Sequence, residues 1–252
     1  MATIGSSGIE VSSLCLGANV FGWTADRDTS FAVLDAYVAA GGNFVDTADS
    51  YMWRVPGNSG GESETIIGEW FAARGRRDDV VLATKVSSLP TRKGLATANI
   101  AAACDDSLRR LQTDRIDLYY AHYDDQNVAQ EEYLDAFDAL VRAGKVRAVA
   151  ASNFTAERLR SALEISRRDG LAEFVALQPH YNLMERADFE ASLQPLLEAE
   201  GLSSVPYYGL AKGFLTGKYR RGQKLEGARA NGIKEYVSDT AWAAIDALRE
   251  VA

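Results

Sequence analysis

A run of side chains that can carry protons or form hydrogen bonds stands at the ends of apolar segments: Asp46, Lys85, His122, Ser152-Asn153, Gln178 and Tyr207. A buried strand needs no charge at its end, and any one of these could be a solvated loop residue. Their regular succession points to convergence on one pocket. Metal-assisted hydrolysis needs three or four His, Cys or carboxylate ligands. The chain has only two His and two Cys, and His180, two residues past Gln178, reads as a packed strand residue. Acyl transfer through Ser152 and His122 lacks a G-x-S-x-G nucleophile elbow. Imine chemistry at Lys85 is a contender, but Asp46 on the neighbouring strand would keep the ammonium charged and non-nucleophilic. A charged lysine suits a phenolate instead, and Tyr51 lies five residues beyond Asp46. Tyrosine, with a pKa of about 10, is too weak an acid at neutral pH. An adjacent ammonium is expected to bring it into a useful range. Asp46 would orient Lys85, and neutral His122 would direct a substrate oxygen. This set fits the reduction of a carbonyl, in which hydride attack builds charge on oxygen that a proton donor must meet.

The segments that carry these residues alternate in type. Near-continuous apolar runs at 13–16, 43–47, 80–85, 116–122, 146–151, 174–178 and 203–208 read as strands buried on both faces. Between them lie amphipathic stretches. One spans 29–40, with Asp28 or Thr29 as cap and Gly41-Gly42 as stop. Others span 63–74, 99–111, 130–143 and 155–168, the last opening on Thr155 and closing on Gly170. Seven strands alternating with helices imply βαβ units and a parallel sheet. An open nucleotide-binding sheet should carry G-x-G-x-x-G after its first strand, and none is present. Gly213 to Lys218 looks like a phosphate loop but is one residue short and lacks the following Ser or Thr. These absences favour an α/β fold of the closed, (β/α)8 TIM-type barrel kind over an open sheet, with its site at the C-terminal strand ends.

Bulk properties bound the partners. With 252 residues, 47% of them hydrophobic, the chain can bury the core of one domain spanning 1–252. Its net charge of −8, with no basic stripe, argues against nucleic acid and anionic membranes. No leader-like N-terminus and no run of some 20 apolar residues appears. Two cysteines fit a reducing compartment, so the expected location is the cytoplasm.

The motifs resemble a known family. Gly42-Asn-Phe-Val-Asp46-Thr-Ala-Asp-Ser-Tyr51, Ala83-Thr-Lys85 and Asp117-Leu-Tyr-Tyr-Ala-His122 are similar to stretches of the aldo-keto reductase superfamily. So are Gly144-Lys-Val-Arg-Ala-Val-Ala-Ala-Ser152-Asn153 and Gly209-Leu-Ala-Lys-Gly213-Phe-Leu-Thr-Gly217-Lys218-Tyr219. The likeness is closest to the bacterial branch that also resembles potassium-channel β subunits, and it runs from about Ile9 to Arg229. It implies a barrel, an extended NADPH (NADH possible) bound without a Rossmann motif, and a small-molecule carbonyl substrate. It also implies an Asp-Tyr-Lys-His tetrad at Asp46, Tyr51, Lys85 and His122. Ser152, Asn153 and Gln178 match residues that bond the nicotinamide carboxamide, and Tyr207 matches the aromatic stacked on its ring. Leu210 to Gly213, Lys218 and Arg229 match the stretch near the pyrophosphate and adenosine. Tyr208 stands where the family commonly has Ser, and Gly209 where it has Pro, which bears on the shape of that loop. The loop at 52–61, with Trp53, and Tyr123-Asp124-Asp125 are expected at the substrate mouth.

After Tyr207 the family continues through an eighth strand and closing helices. Here 238–252 reads as one amphipathic helix, with no eighth strand, and the expectation is a fragment of a longer protein with a weakened grip on the adenosine phosphate. A cofactor-binding regulatory module, or a catalytically weak truncated paralogue, is the alternative reading.

Overall fold

The computed structural model describes residues 1–251. Its centre is a curled, all-parallel sheet of seven strands: β3 (Cys15–Gly17), β4 (Phe44–Asp46), β5 (Val81–Val86), β8 (Ile116–Ala121), β9 (Val146–Ser152), β10 (Phe174–Gln178) and β11 (Ser203–Ser204). They lie side by side in chain order, with β3 and β11 at the two edges. Sequential parallel strands require a crossover between each pair. Those crossovers are helices α1 (Arg27–Ala39), α2 (Glu62–Arg74), α3 (Thr97–Leu111), α4 (Gln130–Arg142), α5 (Ala156–Asp169) and α6 (Gln194–Glu200). This is a (β/α)8-type barrel, incompletely closed, and no eighth barrel strand lies among the described residues.

Alternation along the strands divides two cores. Phe44, Val81, Ala83, Leu118, Tyr120, Ala148, Ala150 and Ala176 fill the barrel interior. Their strand neighbours Val86, Tyr119, Ala121, Val149, Ala151 and Leu177 face the helices, packed with residues such as Ile100, Leu134, Phe137 and Leu163. A hairpin that the sequence did not announce, β1 (Ala2–Thr3) with β2 (Glu10–Val11), delivers Ile4, Ile9 and Val11 into the interior cluster and plugs the barrel's lower end. Gly5 makes that seating possible: a Cβ there would lie 2.2 Å from the Val175 carbonyl oxygen.

Two boundaries differ from expectation for identifiable reasons. Helix α1 starts at Arg27, so its cap is Asp26, whose carboxylate accepts from the Thr29 N–H at 2.9 Å, rather than Asp28 or Thr29. The last strand, expected over 203–208, is regular only at Ser203–Ser204. Val205 and Tyr207 still donate to Leu177 and Pro179, and Tyr207 bridges His180 in the same register, so pairing continues past Pro206, whose missing N–H falls on the open edge of the sheet.

Beyond β11 the chain makes a tight turn over Ala211–Thr216, then α7 (Ala230–Ile233) and α8 (Asp239–Val251). Phe214, Tyr219, Tyr236, Trp242 and Ile245 form a separate apolar cluster there. The expected final helix is thus present, with Ala252 outside the described residues. No described helix is long and apolar enough to cross a membrane.

Candidate active site

The inward positions of the sheet are apolar low in the barrel and polar at its C-terminal end. Two residues above Phe44 is Asp46, above Ala83 is Lys85, above Ala150 is Ser152, and above Ala176 is Gln178. Register brings these ends level: Asp46 pairs with Ala83, Lys85 with Tyr120, and Ser152 with Gln178. His122 follows β8 by one residue and is half-buried. Tyr51 comes from the turn after β4, where its N–H donates to the Ala48 carbonyl at 3.2 Å.

Lys85 is the hub. It is 0% exposed, so its ammonium must find partners inside the protein. It donates to Asp46 Oδ2 at 2.5 Å, to the Thr47 carbonyl at 2.7 Å and to the Tyr51 hydroxyl at 3.0 Å. Burial alone would depress the Lys85 pKa, but the Asp46 carboxylate and Tyr51 outweigh it and hold the ammonium above its ordinary value. Gln178 Nε2 donates to the other Asp46 oxygen at 3.1 Å. The Tyr51 hydroxyl in turn lies 3.5 Å from Asp46 Oδ2. Burial raises the Tyr51 pKa more than Lys85 lowers it. The expectation of an acidified phenol is therefore corrected: the resting hydroxyl keeps its proton firmly, because desolvation of the phenolate exceeds the help from one ammonium.

His122 sits edge-on to Tyr51, with ring centroids 6.1 Å apart. Burial, with the charge on Lys85, holds its imidazole well below the usual value, so it is neutral at physiological pH. A ladder of hydrogen bonds then runs along the strand ends. Asn153 Nδ2 donates to the His122 carbonyl at 2.9 Å and to Ser152 Oγ at 3.0 Å, and Ser152 Oγ donates to the Gln178 carbonyl at 2.9 Å. The Tyr207 hydroxyl donates to Asn153 Oδ1 at 2.8 Å. Asn153 takes up a left-handed φ of 57°, which turns its amide back across this row. His180, read as a packed strand residue, does pair in parallel with Tyr207. It lies half-buried beyond β10 and stacks flat on Tyr207, 5.0 Å between centroids and 7° between planes.

The remaining expected positions scatter along the loop after β11. Tyr208, Ala211, Lys212 and Gly213 all have positive φ, so the loop turns sharply where the unusual Tyr208-Gly209 stands. Leu210 is exposed, and Lys218 reaches only the ring of Tyr219, 5.0 Å away. Arg229 crosses to the loop after β3 and donates to Asn19 Oδ1 at 3.1 Å. Trp53 and Tyr123 are exposed beside the mouth, Tyr123 stacked on His122 at 4.9 Å.

Several polar residues escaped the sequence reading. Asp49, 1% exposed, has no well-formed hydrogen bond to either carboxylate oxygen among the described residues. Burial, reinforced by nearby Glu64, pushes its pKa up to about 8. Glu64 itself is engaged by Thr84 at 2.5 Å and Arg110 at 2.6 Å. Gly61 opens α2 in a left-handed conformation, and a Cβ there would lie 2.5 Å from Arg110 Nε. A second acid two residues before Tyr51 was the available signal for this cluster; Arg110 lies on a different helix and offered none.

Such a barrel, with these residues at its C-terminal rim, is that of the aldo/keto reductases, and the chain belongs to that family: residues 13–252 match its sequence profile. The family generally uses NAD(P)H. An uncharacterized oxidoreductase, YrpG, of Bacillus subtilis is 39% identical over 224 residues, covering 85% of this chain and 68% of that protein. The norsolorinic acid reductase stcV of Emericella nidulans is 36% identical over 248 residues, covering 91% and 61%. Protein tas of Escherichia coli is 35% identical over 249 residues, covering 88% and 71%. The chain thus spans about three fifths to seven tenths of the length of these relatives.

Proposed function

We propose that this protein reduces an aldehyde or ketone with NADPH, Tyr51 acting as general acid. The observation that carries the reading is the buried triad in which Lys85 bonds both Asp46 and Tyr51. Family membership and relatives named as oxidoreductases support the reaction class.

The donor set suits the dinucleotide. A carboxamide offers two donors and one acceptor, and the neutral mixture of Ser152, Asn153 and Gln178 can answer both. The Tyr207 ring, held by its bond to Asn153, has one face covered by His180 and leaves the other for the nicotinamide. Lys218, against the Tyr219 ring, and Arg229, bonded to the neutral Asn19, would meet the phosphates, together with the backbone of Leu210–Gly213. When bound, the reduced nicotinamide supplies a hydride to the carbonyl carbon.

The chain's own residues handle the charge that results. His122, neutral, holds the carbonyl oxygen without competing for its proton. Tyr51 gives its hydroxyl proton to that oxygen and is left as a phenolate, later reprotonated from solvent. An alkoxide is a much stronger base than a phenolate, so a firmly held resting proton is no obstacle. Lys85, kept charged by Asp46, then stabilises the phenolate in a water-poor site, where such pairing is strongest. Gln178 holds the second Asp46 oxygen and keeps the carboxylate aligned. Two unpaired thiols, Cys15 and Cys104, support a cytoplasmic location.

The test is NADPH oxidation, followed optically, with benzaldehyde as probe. Turnover that requires Tyr51 is the expected result. Dinucleotide binding without turnover of a panel of aldehydes and ketones would overturn the enzyme reading in favour of a cofactor-binding module.

A further inference from the structure

Ser88 has no part in the chemistry just described, yet it is the only described side chain that hydrogen-bonds the His122 ring. It opens β6 (Ser88–Leu89), which pairs with β7 (Arg92–Lys93) as a small hairpin just after β5. Its Oγ lies 2.9 Å from His122 Nδ1 and 2.5 Å from Ser50 Oγ. Ser50, 5% exposed, sits between Asp49 and Tyr51. A chain of two hydroxyls therefore joins the segment that carries Tyr51 to the imidazole ring at the end of β8.

We propose that Ser88 is a positioning residue: it donates to His122 Nδ1, accepts from Ser50, and so fixes the imidazole proton on Nε2. The kinetic consequence rests on the reductase reading; the tautomer itself does not. The direction follows from counting protons. A neutral imidazole carries one N–H, and each serine carries one O–H. If Nδ1 carried the proton, it would donate to Ser88, and Ser88 would either donate to Ser50 or accept from it as well. One hydroxyl proton, that of Ser50 or of Ser88, would then have no acceptor among the described residues, where an unmade hydrogen bond is costly. Run the other way, Ser50 donates to Ser88, Ser88 donates to Nδ1, and both hydroxyl protons are used. The one donor left over is Nε2–H, on a half-buried ring at the barrel mouth. That is the form able to donate to a carbonyl oxygen; a bare Nε2 would repel it.

The two serines also fix the ring's orientation. Nδ1 is held on the Ser88 side, while Tyr123 covers one face and Tyr51 meets the ring edge-on. Without Ser88 the ring keeps its packing but loses the bond that distinguishes its two nitrogens.

The chain has only two histidines, His122 and His180, so its imidazole nitrogen-15 spectrum holds two spin systems, separated by the variant His180→Gln. A bare ring nitrogen resonates far downfield of a protonated one. In the unaltered protein at neutral pH, His122 should show bare Nδ1 and protonated Nε2. Ser88→Ala should move His122 toward the other tautomer or a mixture, while Ser88→Thr, which keeps the hydroxyl, should restore the original pattern. With benzaldehyde and NADPH, Ser88→Ala should lower kcat/KM by about 2- to 12-fold, the worth of one neutral hydrogen bond, and Ser88→Thr should recover most of it. A proton on Nδ1 in the unaltered protein overturns the proposal, whether or not any variant folds. So does an unchanged His122 spectrum in Ser88→Ala. If the unaltered protein oxidises no NADPH while its tautomer is as stated, the reductase reading fails and the role of Ser88 in setting the tautomer stands.

Discussion

Asp46 and Asp49 lie three residues apart on one segment, both buried, in opposite surroundings. Asp46 points into the barrel and is met by Lys85, Gln178 and the Tyr51 hydroxyl. Asp49 has no well-formed hydrogen bond among the described residues, and Glu64 nearby adds a like charge. An odd step along the chain makes the difference. Inward residues meet the other strand ends, and a residue displaced by three falls toward α2 and α3 instead. The comparison teaches that burial alone does not make a carboxylate useful. A cation within bonding reach converts it into an anchor, and without one it becomes a group that holds its proton to about pH 8.

The sharpest way to break this contrast is at Tyr51, the proposed acid on the anchored side. Tyr51→Phe keeps the ring and removes the proton, and aldehyde reduction should fall by about 10²–10⁴-fold, the usual yield of general acid catalysis. Dinucleotide affinity, read by fluorescence titration, should hardly move. Retained turnover would remove Tyr51 from its assigned role.

Next in size is the pair itself. Lys85→Met leaves Asp46 without its cation, and denaturant unfolding should show a loss of about 3–5 kcal/mol. The double variant Lys85→Met with Asp46→Leu should regain much of that stability, because no buried charge is then stranded. Equal losses in the single and double variants would mean that packing, rather than the charge pair, governs this position.

Asp49→Asn tests the other side and should act through pH. In the unfolded chain Asp49 ionises around 3.8, while in the folded chain its proton stays until about 8. Between those values the folded state binds the extra proton, so the unaltered protein is penalised as pH rises, with a slope of up to about 1.4 kcal/mol per pH unit. Asparagine has no such slope. The variant's relative stability should climb from pH 4 to 8 and then level off. Parallel stability curves would show that Asp49 titrates normally.

Two smaller effects concern the rim. His122 is held neutral well below its ordinary 6.5, so the rate of reduction should show no inflection there. An inflection that vanished in His122→Asn would place its pKa in the normal range after all. Arg229→Ala should raise the NADPH dissociation constant by about 2- to 5-fold, as exposed charge pairs do, with less effect on NADH. Equal effects on the two cofactors would separate Arg229 from the 2′-phosphate.

Much of the site was legible from residue types in order. Asp46, Lys85, His122, Ser152 and Gln178 each follow a buried apolar run, and a parallel barrel brings strand ends together whatever lies between them. Strand and helix periodicity, with glycine stops such as Gly170, located the crossovers to within a few residues. Local chemistry that periodicity does not register went unseen: the Asp26 cap and the hairpin at Ala2–Val11 with strands of two residues. What tertiary structure alone decided is which groups touch. The Ser50–Ser88–His122 hydroxyl chain spans 34 and 38 residues of sequence, His180 meets Tyr207 across the parallel pairing of the last two strands, and the Arg110–Glu64 pair joins two helices. Tyr51 likewise owes its firmly held proton to the balance between desolvation and a single ammonium, set by depth in the barrel. Residue identity determines which charges and hydrogen bonds are possible; only packing determines how much water remains to compete with them.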